Sequence, residues 1–189
     1  MSFSLIVQSW FSLSYSAEKK NTAENKPPNL AVCNQTLYGK IMCGYQGWFN
    51  APGDGAGRKW VHWGKKRKFE PGFCSVDMWP DMSEYSDDDK FATSFHHKDG
   101  STAYVFSSYK NKTVLRHFSW MRDYGIDGIF LQRFATGTRP GSKARKHKDK
   151  VMLNCQKGAN KYHRVWAMMY DISGLRKGGT QRVIDDWKY

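Results

Sequence analysis

The sequence predicts an α/β fold built from parallel βα units, and three observations carry that prediction. First, two strand-like segments have unbroken apolar centres: Asp127-Gly128-Ile129-Phe130-Leu131-Gln132-Arg133-Phe134 and Arg164-Val165-Trp166-Ala167-Met168-Met169-Tyr170. Such runs suit parallel strands covered on both faces. Second, segments of helical period alternate with them, which gives βαβ units with right-handed crossovers. Third, 189 residues with 40% hydrophobic and 25% charged content are enough for one folded domain with a core of its own. They fall short of a complete eight-stranded α/β barrel, which takes about 250 residues.

Residues 1–37 read as a leader and linker and residues 38–189 as the folded domain. Phe3 to Ala17 is a short apolar, serine-rich stretch that ends in small residues, the length of a secretory signal core. It predicts an extracellular or secretory-pathway location, although no basic residue precedes it; a disordered leader is the alternative reading. Asn-x-Thr sequons at Asn34 and Asn111 accord with export. A first strand is expected within Ile41 to Phe49, running into the glycine-rich turn Asn50 to Gly55. The connection from Asn50 to Lys112 is long, aromatic, and acidic in its middle, the kind that is usually functional when ordered.

Thr113 is expected to cap a helix in which Val114, Phe118 and Met121 share one face and Gly125 supplies the left-handed stop. A basic loop from Thr136 to Lys148 should lead into a helix over 150–162, with Val151, Cys155 and Ala159 on one side. Thr180 should open a third helix carrying Val183, Ile184 and Trp187. Three parallel strands cannot close a barrel, and their uncovered edges predict self-association. A chain that continues beyond Tyr189 would account for the missing strands.

The formal charge is +13, from 30 Lys and Arg against 17 Asp and Glu, and it invites an anionic partner. The tract Lys143-Ala144-Arg145-Lys146-His147-Lys148-Asp149-Lys150 supplies much of it. It lacks the interleaved aromatics of a single-strand binding platform, so nucleic acid is not the expected partner. No apolar run is long enough to span a membrane. Cys33, Cys43, Cys74 and Cys155 have no CxxC spacing for zinc, though their even number permits disulfides. The glycines Gly53, Gly55 and Gly57 fit neither a P-loop nor GxGxxG, and no cofactor is expected.

Aromatic residues cluster at the end of the first strand and beyond it: Tyr45 and Trp48, then Trp60, His62 and Trp63, then Trp79 and Tyr85. Rings beside amides and carboxylates suit sugars, whose C–H faces stack while their hydroxyls need polar partners. Core packing of a large loop is the competing explanation. Asp77, Asp81 and Glu84 lie among these aromatics, and a glycosidase needs two carboxylates roughly 5–10 Å apart. Gln132 and Arg133 end one strand, and Tyr170 and Asp171 end the next. Ligands of α/β sheets bind at that end. Alternatively, Arg133 pairs with a neighbouring acid and only positions loops.

Met42-Cys43-Gly44-Tyr45-Gln46-Gly47-Trp48-Phe49, with Asn50-Ala51-Pro52-Gly53-Asp54-Gly55, resembles the first-strand signature of the glycoside hydrolase family 71/99-like proteins. Asp77-Met78-Trp79-Pro80-Asp81, Tyr104 to Tyr109, His117-Phe118, Tyr124 to Gly128, Leu131 to Phe134 and Trp166 to Gly174 continue the resemblance in order over roughly residues 39–189. It implies the N-terminal part, about three βα units, of a (β/α)8 TIM barrel with a sugar cleft on its C-terminal face. It also implies metal-free, retaining cleavage of α-mannosidic linkages, or cleavage of α-1,3-glucans. By position, Tyr45, Gln46 and Trp48 would line the cleft, followed by Gln132 and Arg133 and then by Tyr170 and Asp171. The family's catalytic glutamates lie on later strands than this chain reaches, so no acid here inherits that role. The function expected is therefore a glycoside hydrolase that continues beyond Tyr189, or a carbohydrate-binding remnant without catalysis. A protein that binds polyanions through Lys143–Lys150 is the third alternative.

Overall fold

The computed structural model describes residues 31–188, so the leader from Phe3 to Ala17 lies outside the described residues. The elements run β1 (Met42–Tyr45), β2 (Phe91–His96), β3 (Thr102–Val105), α1 (Asn111–Asp123), β4 (Gly128–Phe134), α2 (Lys143–Tyr162), β5 (Val165–Asp171) and α3 (Gln181–Trp187). β1, β4 and β5 form a parallel sheet in that order, and β2 and β3 form a separate antiparallel pair. In the parallel register Tyr45 lies opposite Leu131, and Leu131 opposite Met168. The fold is thus α/β with a three-stranded parallel sheet, as the apolar runs predict.

Alternation along each strand divides the sheet into two faces. Cys43 and Tyr45, Ile129 and Leu131, and Trp166 and Met168 pack with Val114, Phe118 and Met121 of α1 and Val151, Cys155 and Ala159 of α2. Full burial of a side chain such as Phe118 contributes about 2 kcal/mol, so this layer is the main core. The opposite face, which carries Gly44, Phe130, Gln132, Ala167, Met169 and Asp171, points away from the three helices.

Several boundaries differ from the sequence reading. α1 begins at Asn111 rather than at a Thr113 cap, and Thr113 is fully buried inside its first turn. Gly125 does take the left-handed conformation, at φ +73°. α2 starts at Lys143, so the basic tract is helical rather than a loop. Lysines and arginines in a first turn oppose the helix dipole, which is why the tract reads as non-helical. The Ser142 hydroxyl offsets this by accepting the Arg145 N–H at 3.1 Å. In α3, Ile184 and Trp187 remain 44% and 69% exposed while Asp186 is buried, the reverse of the expected apolar face.

The segment from Asn50 to Lys112 builds a second core around Trp63, Phe69 and Val105, with Phe49, Trp60, Trp79, Phe95 and Phe106 packed on it. β2 and β3 form one wall of this layer. The four cysteines are free thiols.

Candidate functional site

Three strand ends meet on the helix-free face of the parallel sheet. Gln46, directly after β1, donates from Nε2 to Gln132 Oε1 at 3.0 Å, and Gln132 Nε2 donates to Asp171 Oδ2 at 2.6 Å. The other Asp171 oxygen accepts the Ser173 N–H at 2.8 Å. Bonds from Ser173, with a contribution from Gln132, hold the Asp171 carboxyl below its ordinary range, so it is an anion at neutral pH. An anion only accepts, which fixes the direction of the relay: Gln132 turns its amide nitrogen to Asp171, and its carbonyl receives Gln46. Gln46 is exposed and the other two are half-buried, so solvent reaches the whole row. This is the C-terminal end of the strands, where parallel sheets bind ligands.

The residues next to these in sequence point the other way. The Tyr45 hydroxyl meets His117 Nδ1 at 2.7 Å beneath α1, and the Tyr85 hydroxyl meets His117 Nε2 at 2.9 Å. Burial drives the His117 pKa down to about 4. Arg133 is 4% exposed and directed at the helices. Its Nε and Nη2 grip both oxygens of Asp186 at 2.5 and 2.8 Å, and Nη2 also reaches Asp149 at 2.6 Å. The Tyr170 hydroxyl donates to the same Asp186 at 2.7 Å, and burial together with that acceptor pushes its pKa up to about 12. Tyr45, Arg133 and Tyr170 are therefore structural. Removing one partner of a buried ion pair typically costs 3–5 kcal/mol, so Arg133 anchors α2 and α3 rather than a ligand.

The aromatic positions separate in the same manner. Trp48 stands at the rim of the row, its ring 4.9 Å from His62 and 5.1 Å from Phe134. Its indole Nε1 is buried without a hydrogen-bond partner among the described residues. Trp63, at 2% exposure, donates its indole N–H to the Phe106 carbonyl at 3.0 Å. Trp79 donates to the Tyr104 carbonyl at 2.8 Å and stacks on Phe69. Trp63 is thus a buried member of the second core and Trp79 is packed against that core, away from the row. Asp81 accepts the Ser83 N–H at 2.8 Å in an exposed turn, and Asp77 is exposed. Neither contributes to the row.

Two groups around the site escape the sequence reading. His147, 2% exposed, sits in the basic tract yet works as a buried strut. Its Nε2 reaches the Gly47 carbonyl at 2.8 Å and its Nδ1 meets Asn50 Nδ2 at 3.0 Å. Burial holds its pKa down to about 4, which leaves the neutral tautomer that donates from Nε2 and accepts at Nδ1. Asn50 also donates to Asp54, and Asp54 accepts the Ser107 hydroxyl at 2.7 Å, so the turn after β1 is locked from beneath. Lys148 is half-buried and lines a small cavity with Trp48 and Gln132. Burial, reinforced by Arg58 and Arg133, lowers its pKa to about 8. Only spatial neighbours reveal these roles.

Among the described residues no cluster of His, Cys, Asp or Glu is arranged to hold a metal ion, and no helix is long and apolar enough to cross a membrane. Fold and site together define an α/β protein with a polar, solvent-accessible row at the carboxyl ends of parallel strands. No family model matches the sequence, and no curated protein or solved structure matches it.

Proposed function

We propose that this chain binds an oligosaccharide across the carboxyl ends of β1, β4 and β5, as part of a glycoside hydrolase 71/99-like barrel. The observation that carries the reading is the relay from Gln46 through Gln132 to Asp171, which assembles one polar row from three separate strand ends. Its chemistry suits hydroxyl groups. The Asp171 carboxylate takes a donated O–H, while Gln46 presents its amide oxygen outward once its nitrogen is committed to Gln132. Trp48 adds a half-buried aromatic ring at the rim. A sugar offers donors, acceptors and a C–H face together, and this row accommodates all of them.

The row supplies binding and orientation rather than bond cleavage. Glycoside hydrolysis needs two carboxyl groups about 5–10 Å apart, and the row itself holds one, Asp171. In this reading, catalytic carboxylates would come from other barrel strands, and the substrate would be a glycan met in or beyond the secretory pathway. The test is a titration of the chain with manno- and gluco-oligosaccharides, followed by tryptophan fluorescence and calorimetry. At least one series should bind, and Gln132→Ala should weaken it about tenfold without lowering the melting temperature. Absence of binding by both series, or binding indifferent to Gln132→Ala, would refute the assignment.

A further inference from the structure

A basic surface borders the polar row. The chain carries six lysines and arginines and no acid between Arg58 and Lys68, and five and no acid between Thr136 and Lys148. The fold joins these two segments. Arg58 Nη1 donates to Asn50 Oδ1 at 2.9 Å, Asn50 Nδ2 meets His147 at 3.0 Å, and Lys143 Nζ donates to the Gly57 carbonyl at 3.4 Å. Lys59, Lys65, Lys66 and Arg67 on the loop are exposed, as are Lys143 and Lys146 on α2. Nearby acids are committed elsewhere: Asp149 and Asp186 to Arg133 and Arg145, and Asp54 to Asn50 and Ser107.

Two further features set this surface apart from a merely solvated one. Lys59, His62, Lys66 and Arg67 all hold left-handed backbone, with φ between 52° and 64°. That conformation costs roughly 1–2 kcal/mol for a residue with a Cβ, so the fold presents these basic side chains from backbone that glycine would adopt more easily. Lys148 makes no salt bridge among the described residues and meets Trp48 and Gln132 in one cavity, where the basic surface joins the row. Burial and the neighbouring guanidinium groups destabilise its charge, and a bound anion would restore it.

We propose that the 58–67 loop and the first turns of α2 form one anion-binding face, and that its partner is an acidic polysaccharide bearing sulfate or carboxylate groups. This rests on the saccharide reading of the row, onto which the polymer continues past Lys148. Charge complementarity selects an anion. The junction favours a sugar over a nucleic acid, because Trp48, packed on His62 and Phe134, supplies one half-buried ring beside polar groups rather than a series of open rings on which successive bases stack. The Asp171 carboxylate accepts hydroxyl donors, which a sugar has and the backbone of single-stranded DNA lacks.

The experiment titrates the full chain with a heparin-derived octasaccharide, with neutral mannohexaose, and with an oligothymidylate of matched charge, each at several salt concentrations. The sulfated octasaccharide should bind at least about tenfold more tightly than mannohexaose at low salt, with an affinity that falls steeply as salt rises. The pairs Lys59→Glu/Arg67→Glu and Lys143→Glu/Lys146→Glu should each weaken it about tenfold and leave mannohexaose binding unchanged, while Gln132→Ala weakens both sugars. All four charge-reversed positions are exposed, and matching melting curves confirm that the variants fold. Equal affinity for both sugars, an oligothymidylate that binds as tightly as the octasaccharide, or loss confined to one of the two variant pairs overturns the proposal. Mannohexaose binding without a sulfate preference removes the anionic partner and leaves the row. Charge-dependent octasaccharide binding that ignores Gln132→Ala, with mannohexaose inert, removes the row and leaves the basic face.

Discussion

His117 ties three parts of the molecule together from its place on α1: β1 through the Tyr45 hydroxyl and the second core through the Tyr85 hydroxyl. His147 does the same for α2 and the turn after β1 through Gly47 and Asn50. Both rings must be neutral to accept at one nitrogen and donate at the other, and burial sets both pKa values to about 4. In the unfolded chain they return to the ordinary 6.5. Below that pH the unfolded state binds protons that the folded state refuses. Stability is therefore full above pH 6.5 and falls towards pH 4, by up to about 1 kcal/mol per pH unit for each ring. Denaturant midpoints measured between pH 7 and pH 5 should decline, and His147→Gln, already destabilised, should show about half that slope. A midpoint that stays level across this range would contradict the assignment. Tyr45→Phe tests the same strut without a change of charge: it orphans a buried ring nitrogen and should cost about 1–3 kcal/mol. An unchanged midpoint for that variant would mean that the hydroxyl does not hold His117.

At the scale of elements, the close approach of α1 and α2 depends on Gly158. A Cβ at that position would come 2.5 Å from Cδ2 of Phe118, which is fully buried and has no room to move aside. Gly158→Ala gains up to about 1 kcal/mol of helix propensity, while overpacking costs 1–3 kcal/mol, so the variant should lose about 1–2 kcal/mol net. Denaturant unfolding reads this directly, and a stabilised variant would mean that the two helices separate easily. The spacing of Val114, Phe118 and Met121, like that of Val151, Cys155 and Ala159, exposes this layer to sequence reasoning, because one helical face is apolar and the other is not. The sheet is less legible. Tyr45 and Gln46, Gln132 and Arg133, and Tyr170 and Asp171 are adjacent pairs, and the period of a strand sends only one of each pair to a common face. That rule was available in the sequence. Which member would reach solvent was not, because β4 and β5 are apolar on both sides and give no inward or outward signal. Trp63 and Trp79 mislead for a related reason: tryptophan serves a second core and a sugar platform equally well, and only contacts with Phe69 and Phe106 separate the two.

For the whole molecule, charge and shape pull in opposite directions. Among the described residues β1 and β5 each have one edge without a strand partner, and Ile41, Met169, Ile172 and Trp187 are exposed on or near them. Open edges beside apolar side chains favour pairing with a second copy. The formal charge of +13 opposes it. Ionic strength decides between them, since charges farther apart than a Debye length are screened, about 30 Å at 0.01 M salt and 8 Å at 0.15 M. At low salt repulsion acts across the whole particle, and the chain should sediment as a monomer. At 0.15 M only near neighbours still repel while the edges lose nothing, so association should appear and grow with protein concentration. Sedimentation velocity at the two salt concentrations checks this. Lys substitutions at Ile41, immediately before β1, and at Met169 of β5 should restore the monomer at the higher salt, because a desolvated charge at a strand edge costs more than the pairing returns. A monodisperse monomer under both conditions would mean that both edges are covered in solution and that the chain does not pair with itself through them.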